Sequence, residues 1–379
     1  MRVTQIILQK PYTDMAALGL LADTRPQWVL AFGSVAALQA SAASLRDICA
    51  SAHLVGCSTA GEISNQGVGD DTLVLTAVGF ERAHVEQAST TLSGMADSHA
   101  AGERLASALP QDGLRAILLF GQGLAINGSA VILGMKEVVG ADIPINGGLA
   151  GDGGEFAQTW VLDDQGLSTD RLVCLGLYGD SLRFTQGSFG GWTPFGPARK
   201  VTRCENNVLY ALDGEPALAV YKRYLGEHAK GLPASGLLFP FAMLGSDQSE
   251  WGLIRTILGV NEQDGSLTLA GDIDPDGYLK LMHASTDALV DGAQAAAKAA
   301  FDGHGAHDEG LALMVSCVGR KLVMGGRVDE EVETVAQVFG GIITMAGFYA
   351  YGEIGPYGND DQTRLHNQTM TVSYITETV

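Results

Sequence analysis

Three short loops carry the residue types that could do chemistry. The first runs Gly56-Cys57-Ser58-Thr59-Ala60-Gly61-Glu62, the second Asn146-Gly147-Gly148-Leu149-Ala150-Gly151-Asp152, and the third Gly347-Phe348-Tyr349-Ala350-Tyr351-Gly352-Glu353. In each, an apolar run enters, small residues make the turn, and a glycine followed by a carboxylate leaves. Glycine lets backbone N–H groups approach a ligand, and Glu62, Asp152 and Glu353 could bind a cationic group or hold the loops by accepting N–H bonds. Cys57, Ser58, Thr59, Gly61, Gly148, Tyr349 and Tyr351 share these loops, and Trp192 and Arg320 stand in glycine-containing segments elsewhere.

The flanks of the loops repeat too, which makes each loop part of a unit. Before each loop come an apolar strand, a helical stretch, a second strand, a second helical stretch and a third strand, and one more strand follows it. The last strands are expected over 72–80, 171–178 and 368–376. The unit is therefore β-α-β-α-β-loop-β, in an α/β fold of helix-covered, largely parallel or mixed sheets. Helices are expected near 13–22, 36–49, 98–109, 130–139, 287–301 and 329–339. Unit three is expected to open with the strand Tyr278–His283. The second motif follows the first at less than half the spacing that separates the third from the second, so a long insertion precedes unit three. Residues 1–180 hold two units, 181–276 form a β-rich connecting segment, and 277–379 form the third unit. Asp264-Gly265 marks a hairpin turn in the insertion, and Pro216 starts a helix there.

In such sheets the loops after strand carboxyl ends share one edge, where crevices form. The motif loops and the loops at Gly33, Gly121 and Gly319 should therefore gather on one rim. Other motifs fail on their spacing. Gly121-x-Gly123 lacks the third glycine of a dinucleotide fingerprint, and no phosphate-binding G-K-[ST] or G-x-S-x-G elbow occurs. Asp272–Gly277 opens like a calcium loop but has His283 where glutamate is needed. His304 and His307 lie in a polar loop that could grip a metal weakly but reads as a solvated linker, and no metal site is expected.

Among 379 residues, 46% are hydrophobic and 17% charged, with a net charge of −20. That excludes disorder and disfavours nucleic acid and anionic membranes as partners. The N-terminal apolar run is too short for a signal peptide and no stretch reads as a membrane span, so a cytoplasmic location is expected. Five widely spaced cysteines without C-x-x-C give no disulfide framework or zinc site. Cys57 or Cys317, beside Glu62 or Arg320, is the arrangement a cysteine-dependent enzyme would use. Sequence places no base next to either thiol, and the chain is expected not to be an enzyme.

The motifs Val55–Ile63, Gly147–Asp152, Gly191-Trp192-x-Pro194-x-Gly196-Pro197 and Gly347–Ile354 resemble the signatures of FIST proteins, with N-terminal and C-terminal FIST regions across nearly the whole chain. The resemblance implies a small-ligand sensory protein of signal transduction, with amino acids as proposed ligands. One stand-alone branch of similar length binds haem b, senses nitric oxide and regulates a partner histidine kinase. For that version an axial imidazole is needed, and His366, His283 and His53 are the candidates by position. A small-molecule ligand and a histidine kinase or other signalling protein are thus the implied partners, and a homo-oligomer is compatible with the sequence.

Overall fold

The computed structural model describes every residue except 13, 302–308, 341–342, 358–359 and 379; the loop with His304 and His307 lies outside the described residues. Unit one runs Arg2–Leu8, helix α1 (Met15–Asp23), Trp28–Gly33, α2 (Val35–Ile48), His53–Ser58 and Leu73–Gly79. Unit two runs His84–Thr91, α3 (Ser98–Ser107), Leu114–Gly121, α4 (Gly128–Val139), Ile145–Leu149 and Arg171–Tyr178. The insertion holds α5 (Ala217–Leu225) against a nine-stranded sheet. Unit three contains α6 (Thr286–Ala300), Gly310–Cys317, α7 (Val318–Met324), α8 (Asp329–Phe339), Thr344–Ala350 and Met370–Glu377. Side-chain oxygens start several helices where expected: Ser34 caps α2, Asn127 caps α4 and Ser285 caps α6.

Two elements differ from the sequence reading. Tyr278–His283 does not open unit three. It pairs within the nine-stranded sheet, where Leu279 and Leu281 pack in the core of the insertion. Unit three opens instead with Leu182–Phe189, antiparallel to Met370–Glu377. The insertion therefore interrupts unit three after its first strand. Gly319, expected in a loop after a strand, lies in the first turn of α7.

The sheets are mixed. Each unit contributes one parallel pair, Trp28–Gly33 with His53–Ser58, Leu114–Gly121 with Ile145–Leu149, and Gly310–Cys317 with Thr344–Ala350. The first and last strands add antiparallel. Gly56, Gly147 and Gly347 sit at the same place in these pairs, opposite Ala31, Leu119 and Met314. A Cβ at any of the three would run into the carbonyl oxygen of that partner. The motif glycine is thus demanded by backbone packing before any ligand is considered.

Each motif loop then sends its chain into another unit. The hairpin Glu62–Ser64/Gly67–Gly69 joins the sheet of unit three, Val161–Asp163/Gly166–Ser168 joins that of unit one, and Gly352–Tyr357/Asp360–His366 joins that of unit two. The exchange closes a ring. The inner faces of the three sheets share one core, in which Phe32, Phe120 and Phe348 meet with centroids 4.7–6.1 Å apart. Each such buried ring contributes about 1.5–3 kcal/mol. Outer faces are covered by α1 and α2, by α3 and α4, and by α6 and α8. That closed core fixes where the three motif loops emerge.

Candidate functional site

The loops emerge together and bond to one another. Ser58 Oγ donates to the Gly151 carbonyl at 2.6 Å and accepts from the Trp160 N–H at 2.9 Å, while the Gly151 N–H returns a bond to the Ser58 carbonyl at 2.9 Å. The Ala60 N–H donates to the Tyr349 carbonyl at 2.9 Å, the Tyr349 N–H to the Gly61 carbonyl at 2.8 Å, and the Tyr351 N–H to the Leu149 carbonyl at 3.0 Å. Three strands hand their turns to one braid, as the shared-rim expectation requires.

Beside the braid, at the carboxyl ends of Trp28–Gly33 and His53–Ser58, lies a cleft of about 630 Å³. All three units build it. Unit one supplies Ser34, Val35 and Ala36 at the start of α2, with Thr59, Gly61, Glu62, Asp70 and Asp71. Unit two supplies Asp152, Glu155 and Trp160, and unit three supplies Lys321 from α7. Carboxylates thus line a wall that also carries one ammonium group and the first-turn amides of a 14-residue helix. Those amides have no intrahelical acceptor and sit at the positive end of the helix dipole.

Of the residues singled out in the sequence, Thr59, Gly61, Glu62 and Asp152 line this cleft. Glu62 is buried and accepts from the Thr59 hydroxyl, from the Thr72 N–H at 3.1 Å and from the Thr72 hydroxyl at 2.7 Å. Burial pushes its carboxyl up against the lowering effect of those bonds. Asp152 accepts from the amides of Phe156, Ala157 and Gln158 at 2.7–2.9 Å and from the Tyr351 hydroxyl. Burial works against that carboxylate, but the Tyr351 hydroxyl and the amides outweigh it and hold its pKa below the usual range. Both carboxylates therefore hold loops while facing the cleft.

The remaining positions are structural. Cys57 is fully buried in the common core, where burial pushes its thiol well up, and Cys317 is raised for the same reason. Gly148 is wedged against Val315, Phe348 and the Gly352 carbonyl. Arg320 is fully buried, donating to Glu331 at 2.9 Å, to the Leu289 carbonyl at 2.8 Å and to the Gly190 carbonyl. Tyr349 donates to the same Glu331 at 2.6 Å, and Tyr351 stacks on Phe156 with centroids 4.3 Å apart. Trp192 donates to the Gln368 carbonyl at 2.8 Å. Glu353 is fully buried and accepts from the Thr369 N–H and hydroxyl, both at 3.0 Å; burial drives its pKa up to about 8.

None of the three candidate haem ligands lines the cleft. His366 is buried, 3.0 Å from the Gly355 carbonyl and stacked against Tyr357. His283 ends a strand of the nine-stranded sheet, edge-on to Phe195. His53 stands at the amino end of its strand, away from the rim, with Nδ1 2.6 Å from Asp164, whose bond raises its pKa. The pocket beside it measures about 270 Å³ and is lined by Arg46, Cys49 and Asp164, below the roughly 300–1,000 Å³ of small-molecule sites. A porphyrin needs a wide apolar slot against its axial imidazole; among the described residues His53 faces Asp164, His283 faces Phe195 and His366 faces Tyr357 and the Gly355 carbonyl.

Sequence reasoning missed Ser34, Asp70, Asp71, Glu155, Trp160 and Lys321. Ser34 carried a signal as an N-cap after a strand. Lys321 did not: it follows Arg320, and only the start of α7 turns Arg320 inward and sends Lys321 to the Ala60 carbonyl at 2.9 Å and to Asp70.

The FIST N domain matches residues 27–215 and the FIST C domain matches residues 217–356. An uncharacterized protein of Mycobacterium bovis is 25% identical over 251 residues, covering 62% of this chain and 62% of that protein. One of Methanocaldococcus jannaschii is 34% identical over 96 residues, covering 25% of this chain and 19% of that protein. The chain thus spans less than two thirds of the length of these relatives. A cyanuric acid hydrolase from A. caulinodans, covering 100% of this chain and 99% of its own, has a TM-score of 0.40 at 10% identity. A second cyanuric acid hydrolase structure gives 0.35 at 9%, covering 99% of each chain.

Proposed function

The chain belongs to the FIST family, whose domains are small-ligand sensory modules of signal transduction, and from that premise we propose that it senses a small zwitterion, an amino acid, in the cleft at the rim of unit one. One observation carries this reading: the cleft sets both signs of charge around one space. The α2 amides at Val35 and Ala36 with the Lys321 ammonium suit a carboxylate, and Asp71 with Glu155 on the lining suits an α-ammonium group. Asp152 and Glu62 fix the loops around it. Because units one, two and three all contribute, occupancy bears on the packing of all three, which is what a sensor must transmit.

The output goes, on this reading, to a separate signalling protein in the cytoplasm, with a histidine kinase as the first candidate on the strength of the family resemblance. Among the described residues no helix is long and apolar enough to cross a membrane. A non-enzymatic role accords with the buried, raised thiols of Cys57 and Cys317. The haem-based nitric oxide version rests on the family resemblance alone.

Calorimetric titration with an amino-acid panel and with haemin separates these readings. Saturable binding of one amino-acid class, lost in Lys321→Ala and weakened in Asp71→Asn, is the expected result. Absence of heat for every amino acid at millimolar concentration, or a strong Soret band that appears with haemin and shifts with nitric oxide, overturns it.

A further inference from the structure

On the outer face of unit two, α3 and α4 run antiparallel at an unusually close approach. A Cβ on Gly102 would collide with the Val131 carbonyl, and one on Gly134 with the His99 carbonyl. Each helix thus uses a glycine to admit the backbone of the other, and the second clamp acts on the backbone of His99 itself. Side chains springing from such a seam start from nearly fixed positions.

Three of them converge on its solvent side. His99 lies in the first turn of α3, Glu103 one turn later, and Glu137 in the last turn of α4. One nitrogen of His99 and one oxygen of each carboxylate lie within 4.8 Å of one another. His99 Nε2 is 3.3 Å from Glu137 Oε1, and Nδ1 is 3.8 Å from Glu103 Oε2. Both distances exceed those of well-formed charge-assisted bonds. The shorter one matches the edge of a tetrahedron with metal–ligand bonds of about 2.0–2.1 Å, an edge of roughly 3.3 Å. A single ring nitrogen of His99 and one oxygen of each carboxylate thus lie close enough together to face one ion.

We propose that His99, Glu103 and Glu137 form a surface site for a divalent transition-metal ion of the zinc class, bridging α3 and α4. A neutral imidazole with two carboxylates is a mixed N/O donor set. It suits zinc, cobalt or nickel, whereas calcium takes six to eight oxygens and magnesium seeks an oxygen octahedron. Three protein ligands leave a fourth position for water. The side chains are 38–51% exposed, so the ion enters from solvent without opening the fold. This site shares no lining residue with the cleft, and its fate is independent of the sensor reading.

The test is calorimetric titration of the full chain, without a polyhistidine tag, with Zn²⁺ and separately with Ca²⁺, alongside thermal unfolding with and without Zn²⁺. Saturable Zn²⁺ binding to a single site and a raised Tm are expected, with no comparable Ca²⁺ response. His99→Ala, at a half-buried position, and Glu137→Gln, at an exposed one, should each weaken Zn²⁺ by about tenfold or more. The visible absorption of bound Co²⁺ should vanish in the same variants. No binding at millimolar Zn²⁺, or undiminished binding in both variants, overturns the proposal.

Discussion

Glu62 and Glu353 hold the same place in their motif loops and are gripped in the same way, each by the N–H and hydroxyl of the threonine that precedes the last strand of its unit, Thr72 or Thr369. Their surroundings differ. At the unit-one rim the space beyond the carboxylate is the open cleft. At the unit-three rim it is filled: Trp192, brought in by the chain crossing to the insertion, bonds to Gln368, and the Gln368 side chain lies against Gly319 and donates to the Leu237 carbonyl at 2.8 Å. The unit-two rim is also narrowed. Asn127, the cap of α4, donates to Asp272 of the insertion at 3.1 Å, over a crevice of about 60 Å³. Among the described residues, three equivalent turns therefore yield one wide cleft, at the unit-one rim, while the insertion packs over the other two rims. A repeat predicts where a pocket can form, and the segment that breaks the repeat decides which pocket survives.

The sharpest way to break this comparison is at the two adjacent cations. Arg320 locks the closed rim from inside, so Arg320→Ala strands Glu331 without its counter-charge and should cost about 3–5 kcal/mol in denaturant unfolding. Lys321→Ala, at the open rim, should cost about 1 kcal/mol or less, with its effect falling on ligand binding instead. Similar losses from both would show that the open rim is as structural as the closed one.

A smaller effect is expected at the register glycines. Gly56→Ala and Gly347→Ala each press a methyl group into a strand carbonyl and should lower stability by about 1–3 kcal/mol. Equal losses would mean that the difference between the rims lies outside the parallel pairs, as the structure has it; a neutral Gly56→Ala would place looseness in the sheet of unit one.

A probe that needs no substitution is pH. The Glu353 carboxyl moves from 4.5 to about 8 on folding. The folded state therefore holds a proton that the unfolded chain has released, and this contribution to stability is full below pH 4.5 and lost as pH rises through 8. Glu353→Gln should flatten that loss, seen as a smaller shift of the unfolding midpoint between pH 6 and pH 9. An unchanged pH profile would show that Glu353 is better solvated than its closed rim implies.

Much of this was legible in the sequence. The helices 329–339 and 130–139 follow from apolar spacing, and the last strands of the three units from apolar-rich runs, nearly continuous over 73–79 and 172–178 and alternating with Thr and Ser over 369–376. The three glycine–carboxylate loops led to Thr59, Gly61, Glu62 and Asp152 on the cleft. Sequence could not separate Glu62, which faces a cleft, from Glu353, which faces a wall, because their local patterns are the same. It also placed Tyr278–His283 at the start of unit three and left 182–189 in the insertion, because strand pairing leaves no local mark.

The sequence by itself determined the repeating units, their helices and the glycine that each parallel pair requires, because these depend on periodicity, capping and contacts a few residues long. Only the tertiary structure decided that each motif hairpin joins another unit, that Lys321 rather than Arg320 reaches the cleft, and that the insertion leaves one rim open. Those outcomes rest on pairing between edges and side chains far apart in the chain, where the energy comes from closing a shared core rather than from any local preference.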